Sequence, residues 1–279
     1  MPRPNVLWLA AALTVTLAAA EPAADMSVPP TPISPNPADS PVRSQSGKVF
    51  ASTDADRPPA LGPAPAKVLV LVFSDFQCPV CRRSADATAQ IADEFPEEVR
   101  AEFWQHALPM HSNAENAAAA SLAAQRQGKF WEYHDVLFRN QNALDPASLA
   151  RYADELGLDA AKFKTDYDDP ALRERIKRES AVAESFGAAG TPAFMINGKL
   201  YVGWGSWASF RSNVERELAE AKKLEAQGTP LAQLAEARAR VLIANPEQHQ
   251  TYVSSVSPTE QPPSKKDKKK KKKKDKATG

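Results

Sequence analysis

The only two cysteines of the chain lie in one short stretch, Lys67 to Arg82, with the sequence KVLVLVFSDFQCPVCR. Its apolar half, Val68 to Phe73, is short, rich in valine and followed by Ser-Asp, which predicts a buried strand. Pro79 suits the first turn of a helix, because its φ is already helical and it has no N–H to leave unpaired. The stretch therefore predicts a strand-to-helix corner with Cys78 at the N-terminus of the helix.

Such a corner favours thiol chemistry. Unpaired backbone N–H groups and the positive end of the helix dipole stabilise a thiolate at Cys78. A thiolate is the nucleophile of disulfide exchange, and Cys81, one turn further on, is placed to resolve a mixed disulfide. The two cysteines therefore predict a redox-active dithiol.

The alternatives for this pair are half of a metal site and an inert structural disulfide. A Zn²⁺ site needs four ligands, and the sequence has no second Cys-x-x-Cys. The four histidines show no matching ligand spacing; they are His106, His111, His134 and His249. A structural framework normally uses several dispersed cysteine pairs. We therefore expect neither a metal nor another cofactor.

The N-terminus predicts export. Residues 1–20 contain Arg3, then an apolar run from Val6 that ends in Ala18-Ala19-Ala20, the small-residue pattern of a signal peptidase site. The run is shorter than the ~20 residues of a membrane-spanning helix, although an uncleaved anchor remains the alternative. We expect a cleaved signal peptide at 1–20 and a periplasmic or otherwise exported protein of the bacterial envelope.

Two polar regions flank the predicted folded part. Residues 21–65 are proline-rich and predict an extended linker, in which residues 48–51 are a candidate edge strand. Residues 247–279 predict a disordered tail with a lysine-rich end, in which residues 264–279 contain ten lysines and two aspartates. The formal net charge of +1 hides this asymmetry, because residues 1–263 sum to about −7. The tail suits contact with an anionic surface, whereas export makes nucleic acid an unexpected partner.

Between these regions the pattern alternates strands and helices. A helix over 79–94 and a strand over 99–107 follow the first strand, and four or five helices follow at about 112–187. A strand at 192–196, the turn Asn197-Gly198 and a strand at 199–202 form a hairpin, and a helix follows over 206–227. A C-terminal helix is expected within 229–246. The order predicts an α/β fold whose mixed sheet is interrupted by an all-helical insertion.

These residues carry a resemblance to a known family. The chain resembles the DsbA-like branch of the thioredoxin superfamily, in which a helical domain is inserted in a thioredoxin fold. Four segments match, spread over residues 66–220: FSDFQCPVC at 73–81, LPMHSNAENAAAASLAAQRQGKFWEYHDVLF at 108–138, LARYADELGLD at 149–159 and GAAGTPAFMINGKLYVG at 187–203. The resemblance implies a DsbA-like thioredoxin domain over 66–228.

The resemblance also implies site residues. Cys78 would be the catalytic cysteine that forms the mixed disulfide, and Cys81 its buried catalytic partner. Thr191-Pro192 would be a cis-proline loop beside the cysteines, where Thr191 backbone groups pair with an extended substrate segment. One departure from the family is Val72, which stands where many relatives carry a buried acid that shuttles a proton to the second thiol. Asp75 is the nearest acidic residue along the chain.

The expected function is thiol–disulfide exchange with cysteine-containing exported proteins, which the protein oxidises. The resemblance assigns reoxidation to a membrane quinone-linked partner. Pro79-Val80 offers no side-chain donor between the cysteines, so the oxidising power stays open, and the same dithiol used in reverse makes a reductase or an isomerase. A non-catalytic chaperone or binding module is the alternative of another class.

Three residues near this region have more than one interpretation. Trp204 and Trp207 follow the hairpin and either pack in the core or line an apolar groove for unfolded chains. His111 either lies near the mouth of the site or caps the first inserted helix.

Overall fold

A computed structural model describes residues 57–243, 245, 247–248 and 250–252. Its elements over these residues are β1 (Ala60–Leu61), β2 (Val68–Ser74), α1 (Pro79–Ser84), α2 (Ala87–Glu94), β3 (Val99–Gln105), α3 (Ala114–Gln125), α4 (Phe130–Arg139), α5 (Pro146–Glu155), α6 (Ala160–Tyr167), α7 (Pro170–Ser185), β4 (Ala193–Ile196), β5 (Lys199–Val202), α8 (Trp207–Ala226), a 3₁₀ turn (Leu231–Gln233) and α9 (Leu234–Leu242). The predicted signal peptide and the candidate strand at 48–51 lie outside the described residues.

The strands of the described residues form one mixed sheet in the order β1-β3-β2-β4-β5. The β2–β3 pair is parallel, whereas β1–β3, β2–β4 and β4–β5 are antiparallel. Every residue of β2 is buried, because both faces of this central strand are covered. Val68, Val70 and Val72 face a core with α2 and α8, and the alternate residues of β2 face a core with α7 and α9.

The five helices α3 to α7 form a block inserted between β3 and β4. Alanine-rich α3 is its centre, with ten of its twelve residues buried, because small side chains let α4, α6 and α7 approach closely. A third apolar cluster joins this block to the sheet and contains both cysteines. The predicted fold class, a thioredoxin-like mixed sheet with an all-helical insertion, is confirmed.

Three boundaries differ from the sequence predictions. The predicted linker 21–65 ends too late, because Ala60–Leu61 is buried and pairs with β3 as an edge strand. The helix predicted over 79–94 is two helices, since the Ser84 hydroxyl donates to Cys81 O at 3.1 Å and competes with the helical bond there. The predicted tail 247–279 begins too early, because residues 250–252 are helical and Tyr252 is buried against Phe186.

Candidate functional site

The strand-to-helix corner lies at the carboxyl end of β2. Cys78 is the N-cap of α1, with φ −74° and ψ 121°, and Pro79 occupies the first turn. The backbone N–H of Cys78 donates to Asp75 O at 3.1 Å, which closes the turn between β2 and α1. The corner therefore has the geometry that the sequence predicts, with Cys78 at the start of the helix.

The two cysteines are free thiols in the structure and have opposite acidities. Hydrogen bonding to the Cys81 thiol lowers the pKa of Cys78 to about 5, and the backbone N–H groups of Val80 and Cys81 add to this effect against the opposing effect of burial. Burial, followed by the hydrogen bond to Cys78, raises the pKa of Cys81. At neutral pH the pair therefore holds a thiolate at Cys78 and a proton at Cys81.

The Thr191–Pro192 peptide bond is cis and lies beside this pair. Cys78 Sγ is 3.4 Å from Thr191 O, to which it donates in the thiol form. Ala193, the next residue, begins β4 and pairs with Phe73 of β2, which fixes the loop against the corner. The structure thus brings Cys78, Cys81 and Thr191 together, although Thr191 is more than 100 residues away along the chain.

Val72 places an apolar side chain at the position where the family resemblance implies a buried acid. It is buried in the cluster with α2 and α8, opposite Phe194 of β4. The carboxylate of Asp75 accepts from Gln77 N at 2.7 Å, from Leu108 N at 2.9 Å and from His111 Nδ1 at 2.7 Å. Asp75 therefore holds the loop before α3 against the corner.

Two residues contact the corner in ways that sequence reasoning missed. Gln141, in the loop after α4, donates from Nε2 to Phe76 O at 2.8 Å and to Cys78 O at 2.9 Å. Gln77 Oε1 accepts from Asn113 N at 2.7 Å, at the start of α3. The helical block thus holds the dithiol corner at several points, and no sequence motif signals these contacts.

The residues with two interpretations have definite places. His111 pairs with Asp75, and the N-cap of α3 is Asn113 instead. Trp204 and Trp207 are half-buried and pack against Phe210, with ring centroids 5.8 and 6.0 Å away. Both tryptophans therefore contribute to the core beside α8.

A comparison with protein families shows which family the chain belongs to. A family model described as thioredoxin matches residues 54–216, more than half of the sequence. The chain belongs to the thioredoxin family. This confirms the resemblance that the motifs indicate.

Several solved structures share this fold. A thioredoxin-like oxidoreductase from Silicibacter pomeroyi DSS-3 is 30% identical, covers 60% of this chain and 92% of its own, and has a TM-score of 0.52. BdbD from Bacillus subtilis, in an oxidised crystal structure, is 22% identical over 61% and 96% of the two chains, with a TM-score of 0.53. The thiol–disulfide exchange protein α-DsbA2 from Wolbachia pipientis is 20% identical over 57% and 86%, with a TM-score of 0.52.

Curated relatives include much longer proteins. The Na⁺/H⁺ antiporter NhaA 3 of Salinispora tropica is 37% identical over 158 residues, which are 56% of this chain and 24% of the antiporter. The antiporter NhaA of Herminiimonas arsenicoxydans is 37% identical over 138 residues, 50% and 22% of the two proteins. The chain thus spans about a quarter of the length of these relatives, and their names describe the whole antiporters.

The described residues lack two further features. They contain no helix with the length and apolarity to cross a membrane. Nor do they contain a group of three or more His, Cys, Asp or Glu side chains arranged to hold a metal ion.

Proposed function

We propose that this protein is an exported thiol–disulfide oxidoreductase that oxidises cysteines of client proteins. The observation that carries the proposal is the Cys78–Cys81 pair, with a thiolate-stabilising helix start at Cys78 and the Thr191 carbonyl beside it. Membership of the thioredoxin family and likeness to thiol–disulfide exchange proteins support a redox function. The direction of electron flow rests on the chemistry of the two cysteines.

The proposed reaction begins with the Cys78–Cys81 disulfide. A client thiolate attacks Cys78 Sγ, the enzyme disulfide breaks, and Cys81 leaves as a thiolate that takes up a proton. The second client thiolate then attacks the client sulfur of the mixed disulfide, and Cys78 leaves as a thiolate. The client has lost two electrons and the enzyme has gained them. Reoxidation of the enzyme needs an external oxidant, which we propose to be a membrane quinone-linked partner.

The acidity of Cys78 favours this direction. A thiol with a pKa of about 5 is a good leaving group in the second step, and its stabilised thiolate favours the reduced enzyme. Thr191 backbone groups beside Cys78 suit an extended client segment, which would bind as an added strand. Oxidation therefore fits this site better than reduction.

Trapping the mixed disulfide tests the proposed function. In Cys81→Ala the Cys78 thiolate attacks a disulfide of an oxidised client, which is the last step in reverse, and one client sulfur leaves as a thiolate. Because no Cys81 thiol is present to displace the client from Cys78, we expect clients to accumulate as mixed disulfides that a reductant releases. In Cys78→Ser we expect no complexes and no client oxidation. Client binding and phenotype that survive intact in Cys78→Ser would favour the binding-module alternative and overturn the catalytic proposal.

The reduction potential separates oxidase from reductase. A potential near that of strongly oxidising family members, about −120 mV, supports oxidation of clients. A potential near that of thioredoxin, about −270 mV, would contradict it and favour a reductase or an isomerase. The free dithiol and its disulfide form are compared in redox buffers by quantifying both species at equilibrium.

Export and surface contact complete the proposal. We propose that residues 1–20 direct the chain to the bacterial envelope. Fractionation of cells that express the protein with and without these residues tests this proposal.

We also propose that the lysine-rich end contacts anionic surfaces, since each lysine near such a surface contributes about 1 kcal/mol. Salt-insensitive binding to anionic vesicles, or none, would contradict that contact.

A further inference from the structure

Gln141 reaches the dithiol corner from the helical block. Its Nε2 donates to Phe76 O at 2.8 Å and to Cys78 O at 2.9 Å, so that both amide hydrogens serve the two carbonyls around Gln77. The residue lies in the loop between α4 and α5, and it is half-buried. One side chain of the insertion therefore holds the backbone on either side of Gln77 at the end of β2.

The bond to the Cys78 carbonyl has a direct consequence for Cys78. The orientation of that carbonyl defines ψ of Cys78, because ψ is the rotation about the bond that joins Cα to the carbonyl carbon. With ψ at 121°, the N–H groups of Val80 and Cys81 hydrogen-bond to Cys78 Sγ. The carbonyl also accepts the first helical bond from Arg82 N, but at a long 3.3 Å. The hydrogen bond from Gln141 is thus the shorter of the two that the Cys78 carbonyl accepts.

We propose that Gln141 is a positioning residue for Cys78, which holds Sγ against the N–H groups of α1 and the Cys81 thiol. The inference deepens the proposed function and rests on it for the role of Cys78 as nucleophile. It assigns the helical block a part in the reactivity of the dithiol as well as in its burial. Gln141 acts through the backbone, because its Nε2 donates to two carbonyl oxygens of the corner.

The rate of alkylation of the reduced protein over a range of pH tests the inference. Cys81 is fully buried and its pKa is raised, so iodoacetamide reports on Cys78. In Gln141→Ala and in the isosteric Gln141→Glu, the donor to Cys78 O is absent. We expect the pKa of Cys78 to rise by about half a unit, which makes alkylation below about pH 5 roughly threefold slower and leaves it unchanged near about pH 8.

Gln127 provides a matched control. It makes a similar pair of bonds to one backbone segment, from Nε2 to Asp159 O at 3.2 Å and from Asp159 N to Oε1 at 2.9 Å, but between α3 and α6. We expect Gln127→Ala to keep the wild-type pH profile, whatever stability it loses. A general loosening of the fold would accelerate alkylation at every pH, which is the opposite of the expected change at low pH.

The two proposals fail in different ways. A wild-type pH profile in both Gln141 variants, or an equal shift in Gln127→Ala, would overturn the positioning role of Gln141. Neither result would alter client oxidation by the unmodified protein. Client oxidation that survives in Cys78→Ser would instead overturn the proposed function, even if the Gln141 variants shift the profile as expected.

Discussion

The acidity of Cys78 depends on the hydrogen bond between the two buried sulfurs, which lowers the pKa of Cys78 and raises that of Cys81. Burial opposes ionisation at both, and at Cys78 the Cys81 thiol and the N–H groups of α1 outweigh it. Cys81 lies one turn inside the helix, where burial dominates and its proton is held in the hydrogen bond to Cys78. One proton shared between the sulfurs therefore makes the outer thiol a leaving group and keeps the inner thiol neutral.

This asymmetry predicts a pH dependence of stability in the reduced protein. The pKa of Cys78 is about 5 in the folded state and near its ordinary 9.0 in the unfolded state, so between these values the unfolded state binds more protons. The contribution of Cys78 to the free energy of unfolding of the reduced protein therefore rises with pH from about 5 towards 9, by at most about 1.4 kcal/mol per pH unit. This contribution is lost as pH falls through 5. Above 9 the raised pKa of Cys81 reverses the trend.

Denaturant unfolding of the reduced protein at several pH values checks this prediction. The control is Cys78→Ser, measured alongside, because every other titrating group is common to the two proteins. We expect the difference between them to grow from about pH 5 to about pH 8. A difference that does not change with pH would show that Cys78 is not acidified in the fold.

At the residue scale, the sequence is informative where one residue type has few roles. The spacing of Cys78 and Cys81 predicts the dithiol, and the matching motif places Thr191-Pro192 near it. Gln141 and the pair Asp75–His111 could not be predicted, because glutamine, aspartate and histidine are common at surfaces. Their hydrogen-bond partners lie on loops that are distant in sequence and meet only in the folded structure.

At the element scale, the C-terminal helix α9 is joined to the sheet at the β4–β5 turn. Gly198 has φ +95°, and a Cβ there would lie 2.7 Å from Ala239 Cα and 3.3 Å from Ile243 Cγ1. Ala239 and Ile243 also belong to the apolar cluster that contains Leu71 of β2. The family match ends at residue 216, so α9 lies outside the matched residues, although it contributes to the core.

Replacing Gly198 with alanine tests this packing. Gly228 is a matched control, because its φ is +94° but a Cβ there would meet nothing within 4 Å. Gly228→Ala should cost only the strain of a positive φ, about 1–2 kcal/mol. Gly198→Ala adds a clash with the α9 backbone, for which we expect a further loss of about 1–3 kcal/mol in denaturant unfolding. Equal losses in the two variants would mean that α9 does not pack at this turn.

Elements were predictable where periodicity is strong and harder where it is not. The apolar run of β2 and the Asn197-Gly198 turn predict a buried strand and a hairpin, and both occur. The two-residue strand Ala60–Leu61 is too short to show alternation and lies in a proline-rich stretch. Its pairing is decided by the free edge of β3, which a local pattern does not describe.

At the scale of the whole molecule, a buried ion pair ties the helical block to the sheet. Arg175 Nε donates to Glu179 Oε1 at 2.6 Å within α7, and Gln105 N at the end of β3 donates to Glu179 Oε2 at 2.7 Å. The Arg175 guanidinium also reaches Gln125 of α3 and the carbonyl of Arg57. The two side chains are only 8% and 6% exposed, so water screens the attraction between their charges only weakly.

Glu179→Gln should therefore be costly, because it removes a buried negative charge that lies 2.6 Å from the Arg175 guanidinium. We expect the free energy of unfolding to fall by about 3–5 kcal/mol. The control is Glu174→Gln on the same helix, whose partner Lys177 is 66% exposed, and there we expect a change within about 0.5 kcal/mol. Adding Arg175→Met to Glu179→Gln removes the buried positive charge as well and should recover part of the loss, measured by denaturant unfolding. A double variant that is no more stable than Glu179→Gln would show that the hydrogen bonds of Arg175, rather than its charge, hold the block to the sheet.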